Sequence, residues 1–238
     1  MISRPLVLIP PSEAKSSGGV GPPWRRGTMR DASLDGARAQ VLTAARAAKA
    51  VARGASTEPA MSRYTGVLYR ELAWSTLSPP ARSRGEAEVR SVSGLLGLVA
   101  PSDPIPAYRL KMSASLPDVG RLSTWWKPRL TGVLATLSDG AVVWDLLPQE
   151  HAAACDWSRS RPEQRIQVRF VDAEGRAIAH WNKLLKGSLV RWILEAQPTC
   201  AADLESFEHP LGYRLDRRAS QLDDPLAIAT LRSRTTGW

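Results

Sequence analysis

Leu6-Val7-Leu8-Ile9-Pro10-Pro11-Ser12-Glu13-Ala14-Lys15 is the stretch on which the reading of this chain turns. Its apolar half has the unbroken character of a buried strand. The double proline ends it, because proline offers no N–H to a ladder and restricts the residue before it. Ser12, Glu13 and Lys15 are thereby delivered onto a loop at the end of a rigid support, where binding and catalytic groups concentrate. The plainer alternative is a surface turn carrying a solvated salt bridge. The rest of the chain has to decide between the two.

At 238 residues the chain is long enough to bury a core without disulfides or metal staples. Its formal charge of +9 describes a surface that attracts polyanions, mainly nucleic acid or anionic lipid. The basic residues are 26 Arg against 6 Lys, a bias that GC-rich coding produces without functional demand, so charge by itself is modest evidence. Cys155 and Cys200 have neither metal spacing nor a disulfide framework, which fits a reducing cytoplasm. The apolar start is too short for a secretory segment, and no stretch approaches the ~18–20 apolar residues of a membrane span. A cytoplasmic protein is expected.

Working outward, residues 16–30 are a Gly/Pro-rich loop with a basic end. A helix is expected from about Ser33 to Arg53, closed by Gly54, with Leu34, Ala37, Val41, Ala48, Val51 and Ala52 on one side. Arg38, Arg46, Lys49 and Arg53 form its other face, either solvated or suited to phosphates. A second helix runs from Tyr64–Tyr69 towards Leu77, before Pro79-Pro80, and a third segment, Glu86 to Ser93, reads as helical up to Gly94-Leu95-Leu96-Gly97. Tyr108 to Met112 reads as a strand, and Leu122 to Leu137 as a helix that Pro128 kinks or starts. Ala141 to Leu146 is a second apolar strand. Ile166–Val171 and Arg176–His180 flank Asp172-Ala173-Glu174-Gly175 as a hairpin. Asn182–Glu195 is an amphipathic helix, a short helix after Pro198 reaches Phe207, and Tyr213–Leu215 is a last short strand. Residues 217–238 read as a polar, loosely ordered tail. Strands and helices interleave without a linker or repeat, so one unit over residues 1–238 is expected.

Phosphate-binding glycine loops, nucleophile elbows and dinucleotide fingerprints are missing from the sequence. His151 and Cys155 are a half-site for zinc with no companions, and His180 reads as a structural histidine, so no metal and no cofactor is assigned. Among nine tryptophans, Trp125-Trp126 are suited to stacking on bases but read more simply as core.

Five blocks, taken in order, resemble the YaaA family, bacterial proteins associated with the peroxide-stress response. They are the Pro10–Lys15 loop; Tyr64-Thr65-Gly66-Val67-Leu68-Tyr69; Ser93-Gly94-Leu95-Leu96-Gly97-Leu98 with Pro101; Tyr108-Arg109-Leu110-Lys111-Met112; and Asn182-Lys183-Leu184-Leu185-Lys186-Gly187 followed by Gly212-Tyr213. The resemblance implies a mixed α/β (α+β) fold: a single compact domain with a small mixed sheet surrounded by helices. It also implies binding of double-stranded DNA through a basic cleft and a helix-hairpin-helix element, which would fall around Glu86–Pro101. Gly94 and Gly97 would there let backbone N–H groups approach a phosphate. The chain departs from the family pattern at Lys111, where an acid is expected, and at Pro148 and His151, where hydroxyls are expected.

Two functions from different classes follow. In the first, Lys15, Gly94, Gly97, Arg109, Lys183, Lys186 and Gly187 hold the DNA backbone in an oxidative-stress setting. Two lysines at the start of a helix oppose its dipole, which is tolerated when they face an anion. In the second, Ser12, Glu13, Lys15, Tyr69, Arg109, Lys111 and Lys183 line a recruited enzyme's cleft for a small anionic or nucleotide-like substrate, in specialised metabolism. Both need residues 13–15, 109–111 and 183–186 to meet in space.

Overall fold

The computed structural model describes residues 4–178 and 181–234 of the chain. In chain order, β1 (Leu6–Ile9) leads through a long loop to α1 (Asp35–Ala47), β2 (Thr57–Pro59), α2 (Ala60–Arg63), α3 (Val67–Leu72) and α4 (Pro79–Glu88). Then come β3 (Val89–Ser93), β4 (Gly97–Val99), β5 (Pro104–Pro106), β6 (Ser115–Leu116), β7 (Gly120–Arg121) and α5 (Leu122–Ser138). The last part holds β8 (Val142–Asp145), α6 (Gln149–Ala152), β9 (Gln164–Val171), α7 (Asn182–Ala196), β10 (Tyr213–Leu215) and β11 (Leu226–Ser233).

The fold is mixed α/β, built on a seven-stranded sheet of order β10-β11-β9-β8-β1-β3-β4, with two small two-stranded sheets beside it. β1 pairs in parallel with β8 on one side and β3 on the other, and β8, β9 and β11 continue the parallel run. Only the edges, β4 and β10, are antiparallel. A strand covered on both faces needs no polar alternation, which is why Leu6–Ile9 is apolar throughout and fully buried.

Several expectations are corrected. Residues 86–101 are no helix-hairpin-helix. α4 stops at Glu88, and Val89–Ser93 and Gly97–Val99 are paired strands of the sheet. Pro79 and Pro80 begin α4 rather than merely ending the helix before it. Their missing N–H groups cost nothing in a first turn, and the Ser78 hydroxyl accepts the N–H of Ala81 at 3.3 Å. Tyr108–Met112 is irregular apart from one bridge between Tyr108 and Val51. α1 ends at Ala47, with Lys49 left-handed at φ 55°, before the expected Arg53. Arg38 is not on an outer face but wholly buried. The tail is also no loose end: residues 226–233 form a strand inserted between β9 and β10, anchored by Arg232 on Asp216 at 2.7 Å.

α5, β8, α7 and β10 lie where periodicity puts them. The turn at Asp172–Gly175 forms, with Val171 bridging Ala177, while Ala179 and His180 lie outside the described residues. Among the described residues, no helix is long and apolar enough to cross a membrane.

Candidate functional site

The connection leaving β1 leads to β3 on one side, and that leaving β8 leads to β9 on the other. The carboxyl ends of β1 and β8 therefore flank the point where the winding of the sheet reverses, the place where open α/β sheets form a crevice. Pro10–Lys15 issues from one lip and Leu146–His151 from the other.

Lys15 sits at this crevice on its own loop and on two tyrosines. Its Nζ donates to the Ser12 carbonyl at 2.6 Å and lies 3.9 Å from the centre of the Tyr108 ring and 5.6 Å from that of Tyr64. Burial favours the neutral amine and outweighs the nearby Glu13 carboxylate, with the Arg63 charge adding to the effect. The amine is lowered to about 8. No carboxylate among the described residues is in ion-pair contact with it.

Beneath the lysine runs a chain of buried hydroxyls. Tyr64 Oη and Tyr108 Oη are 2.9 Å apart, and Tyr108 Oη lies 2.8 Å from Ser93 Oγ. Tyr69 donates to the Pro10 carbonyl at 2.9 Å and meets Ser91 Oγ at 2.8 Å. Burial pushes all three phenols up, so they remain neutral donors. Ser12 is buried, its Oγ accepting the Gly66 N–H at 2.8 Å, so that β1 is tied to the start of α3.

The opposite lip carries His151, whose Nδ1 lies 2.8 Å from the Val92 carbonyl. A carbonyl only accepts, so Nδ1 bears the proton and Nε2 keeps its lone pair. Burial holds this histidine below its ordinary range, against the opposing pull of the Val92 bond, Glu150 and Glu13. Glu150 is raised by burial but lowered further by the N–H and hydroxyl of Ser113, both at 2.9 Å, and by His151 and Lys111; the net shift is downward. Below them, Asp145 at the end of β8 holds Arg165 at 2.7 Å, and Lys186 reaches in from α7 to donate to the Leu146 carbonyl at 2.8 Å. Burial lowers Lys186, and Asp145 partly offsets this.

Pairwise relations connect these groups near the ends of β1 and β8: the Glu13 charge acts on both Lys15 and His151, that of Lys111 acts on Glu150, and Lys186 meets the Leu146 carbonyl and feels Asp145. Glu13, Lys15, Lys111 and Lys186 were named from sequence as site residues. Tyr64 and Tyr108 lay within the quoted blocks, but only the long-range contact makes them a platform. Tyr69 and Ser12 are supports beneath the loop. Arg109 is exposed, its backbone N–H bound to the Ala50 carbonyl, and Lys183 is exposed at the start of α7. Three glycines have structural reasons. A Cβ on Gly94 would meet the Lys111 carbonyl at 3.0 Å, and one on Gly97, at φ 69°, would meet the Trp126 ring at 2.8 Å. Gly187 is where α7 crosses α3. The positive-φ turn at Gly97 and the tight backbone approach at Gly94 belong to the β3–β4 hairpin, which is buried throughout, so no phosphate reaches these glycines there. Trp126 is core, donating to the Gly94 carbonyl at 2.8 Å. Cys155 is buried, its thiol pushed up to about 12 by burial and the Asp145 charge, and its sulfur lies 4.0 Å from the His151 carbonyl.

The family model described as peroxide stress protein YaaA matches residues 28–219, from just before α1 to past β10. A UPF0246 protein of Streptomyces coelicolor is 32% identical over 241 residues, covering 90% of this chain and 93% of its own length. One from Corynebacterium efficiens is 30% identical, over 81% of this chain and 86% of its own. A third, from Lacticaseibacillus paracasei, is 31% identical, over 72% and 70% respectively. With that match across most of the chain, and the five sequence blocks set around the same sheet, this protein belongs to the YaaA peroxide stress protein family.

Proposed function

We propose that this family member performs chemistry on a small anionic, carbonyl-bearing substrate at the strand-end crevice, with Lys15 as the amine nucleophile. The observation that carries this reading is the seat of Lys15. Its ammonium is half-buried over an aromatic face, held by one backbone carbonyl, and among the described residues it makes no ion-pair contact with a carboxylate. An ordinary lysine is almost wholly protonated near neutrality, whereas one titrating at about 8 is about one-tenth neutral amine at pH 7. Such an amine adds to a carbonyl carbon and releases water as the C=N bond forms. The neutral phenols of Tyr64 and Tyr108 supply a proton-conducting chain beneath it, and Lys111 and Lys186 supply positive charge for an anionic substituent. Glu13 and His151 Nε2 are the proton acceptors within the same neighbourhood.

The test is reductive trapping of an aromatic aldehyde, with labelled lysines mapped by peptide mass. Lys15 is expected to label roughly tenfold faster than Lys49 or Lys183 at about pH 7.5. Because the neutral amine is the reactive form, its labelling rate should climb with pH and level off above about 8. Equal labelling of all lysines, or a Lys15 profile that still rises steeply past 9–10 as an ordinary amine does, overturns the reading.

A second reading, binding of duplex DNA, is favoured by the formal charge of +9 and by the exposed side chains of Lys111 and Lys183. Such contacts grip phosphate and carry no sequence information. An electrophoretic shift at low salt is expected, with Lys111→Ala plus Lys183→Ala weakening binding and lowering the salt slope by about 2. No shift at low salt, or an unchanged slope in the double variant, rejects it.

A further inference from the structure

A hollow of ≈ 570 Å³ lies beside the last turn of α1, lined by Trp24, Thr43, Arg46 and Arg53 among others. Its size is that of a small-molecule site. Three observations point to what it takes. First, neither Arg46, Lys49 nor Arg53 joins an ion pair among the described residues, whereas the buried Arg38, Arg63 and Arg90 are all paired. Arg46 stands in the last turn of α1, where a cation is favoured, and Lys49 and Arg53 follow it in the chain, so three cations gather near this end. Second, Trp24 Nε1 and Arg46 Nε are shielded from solvent and donate to no protein atom. Unsatisfied buried donors are uncommon, and both belong to side chains of this lining; being shielded, these two nitrogens are not themselves offered to a ligand, which would meet the rest of the Arg46 guanidinium. Third, Trp24 and Pro23 also wall a second hollow of ≈ 240 Å³, whose other sides include Val20, Pro22, Pro59 and Pro104. The indole therefore stands between a basic compartment and an apolar one.

We propose that this pair of hollows is a binding site for a flat-ringed anion of the nucleoside monophosphate class. The phosphate is held by Arg46 and Arg53, and the ring lies against Trp24 and the prolines. A guanidinium supplies the planar fork that phosphate oxygens accept, and an indole supplies stacking area. A simple inorganic anion would leave most of this volume and all of the apolar side unused. The site shares no residue with the Lys15 crevice and does not depend on the chemistry assigned there.

Calorimetric titration of the full chain at low salt tests it, with adenosine monophosphate, adenosine and inorganic phosphate as probes. Adenosine monophosphate is expected to bind with a Kd of roughly 0.1–1 mM, and each half-ligand at least about tenfold more weakly. Arg46→Ala plus Arg53→Ala should lower the affinity at least about tenfold, and Trp24→Leu should reduce the nucleotide to the level of phosphate alone. Arg53 is exposed and joins no ion pair among the described residues, so Arg53→Ala alone keeps the fold intact and should still weaken binding about threefold. Lys15→Met should leave this binding unchanged. Three results overturn the proposal: no saturable binding up to about 10 mM, phosphate binding as tightly as the nucleotide, or affinity that survives the arginine substitutions.

Discussion

Gly187→Ala lowers the stability of this protein by about 2–4 kcal/mol, although alanine is ordinarily better than glycine in a helix interior by about 1 kcal/mol. The sign is reversed by the crossing of α7 and α3. A Cβ at position 187 would overlap the Leu68 carbonyl and lie 2.7 Å from Glu71 Cβ, and neither neighbour is the free end of a flexible chain. The helices would have to part, pulling Lys186 from the Leu146 carbonyl and loosening the lip of the crevice. Thermal unfolding should show a midpoint lowered by roughly 4–16 °C for a chain of this size. Gly132→Ala in α5 is the control. Its Cβ would meet nothing within 4 Å, so helix propensity alone should act and stability should rise slightly. A neutral or stabilising Gly187→Ala would show that the glycine is not required by the crossing.

Arg38→Leu is expected to cost about 3–5 kcal/mol, a large part of the margin of a typical domain. Arg38 is completely buried. Its Nε donates to the Leu96 carbonyl at 2.9 Å, and its Nη2 to that of Leu98 at 2.7 Å. Its Nη1 serves both the Asp31 carbonyl at 2.9 Å and Asp35 Oδ1 at 2.8 Å. Leucine fills the space but leaves three carbonyls without this donor and a buried carboxylate without its charge partner. Arg38→Lys should recover only part of the loss, because one ammonium cannot reproduce a fork spanning α1 and the β3–β4 hairpin. Urea unfolding measures both. A loss under about 1 kcal/mol for Arg38→Leu would place this arginine among solvated surface charges.

These two residues show where sequence reasoning stops. Position 38 lies on the arginine-bearing side of a helix with a clear apolar stripe, so periodicity assigns it to solvent. It is buried because the β3–β4 turn presents carbonyls there, and that turn lies 58 residues away in the chain. Gly187 reads as part of a Lys-Gly anion motif, and only the approach of α3 gives it a packing reason. Val89–Ser93 reads as helical because Arg90 and the serines offer no apolar run. It becomes an interior strand because Asp31 meets Arg90 at 3.0 Å and β1 and β4 satisfy its backbone. Leu226–Leu231 was hidden by its arginine-rich surroundings, and β9 and β10 together make it a strand. The crevice was half legible. A strand ended by two prolines announces Ser12, Glu13 and Lys15, but nothing local announces that Tyr108 would lie under the lysine or His151 across from it.

Local physics thus determined where the chain turns rigid: the apolar strand and its proline stop, the long amphipathic helices, the second apolar strand and the hairpin turn. Those features depend on neighbours a few residues apart, whose geometry is set by backbone period and turn chemistry. Only the tertiary structure decided which charges are buried, which glycines are crossings and which loops face each other. The burial, counter-charges and hydrogen-bond partners of a side chain come from residues distant in sequence, and the winding of the sheet alone sets which of them arrive at the same edge.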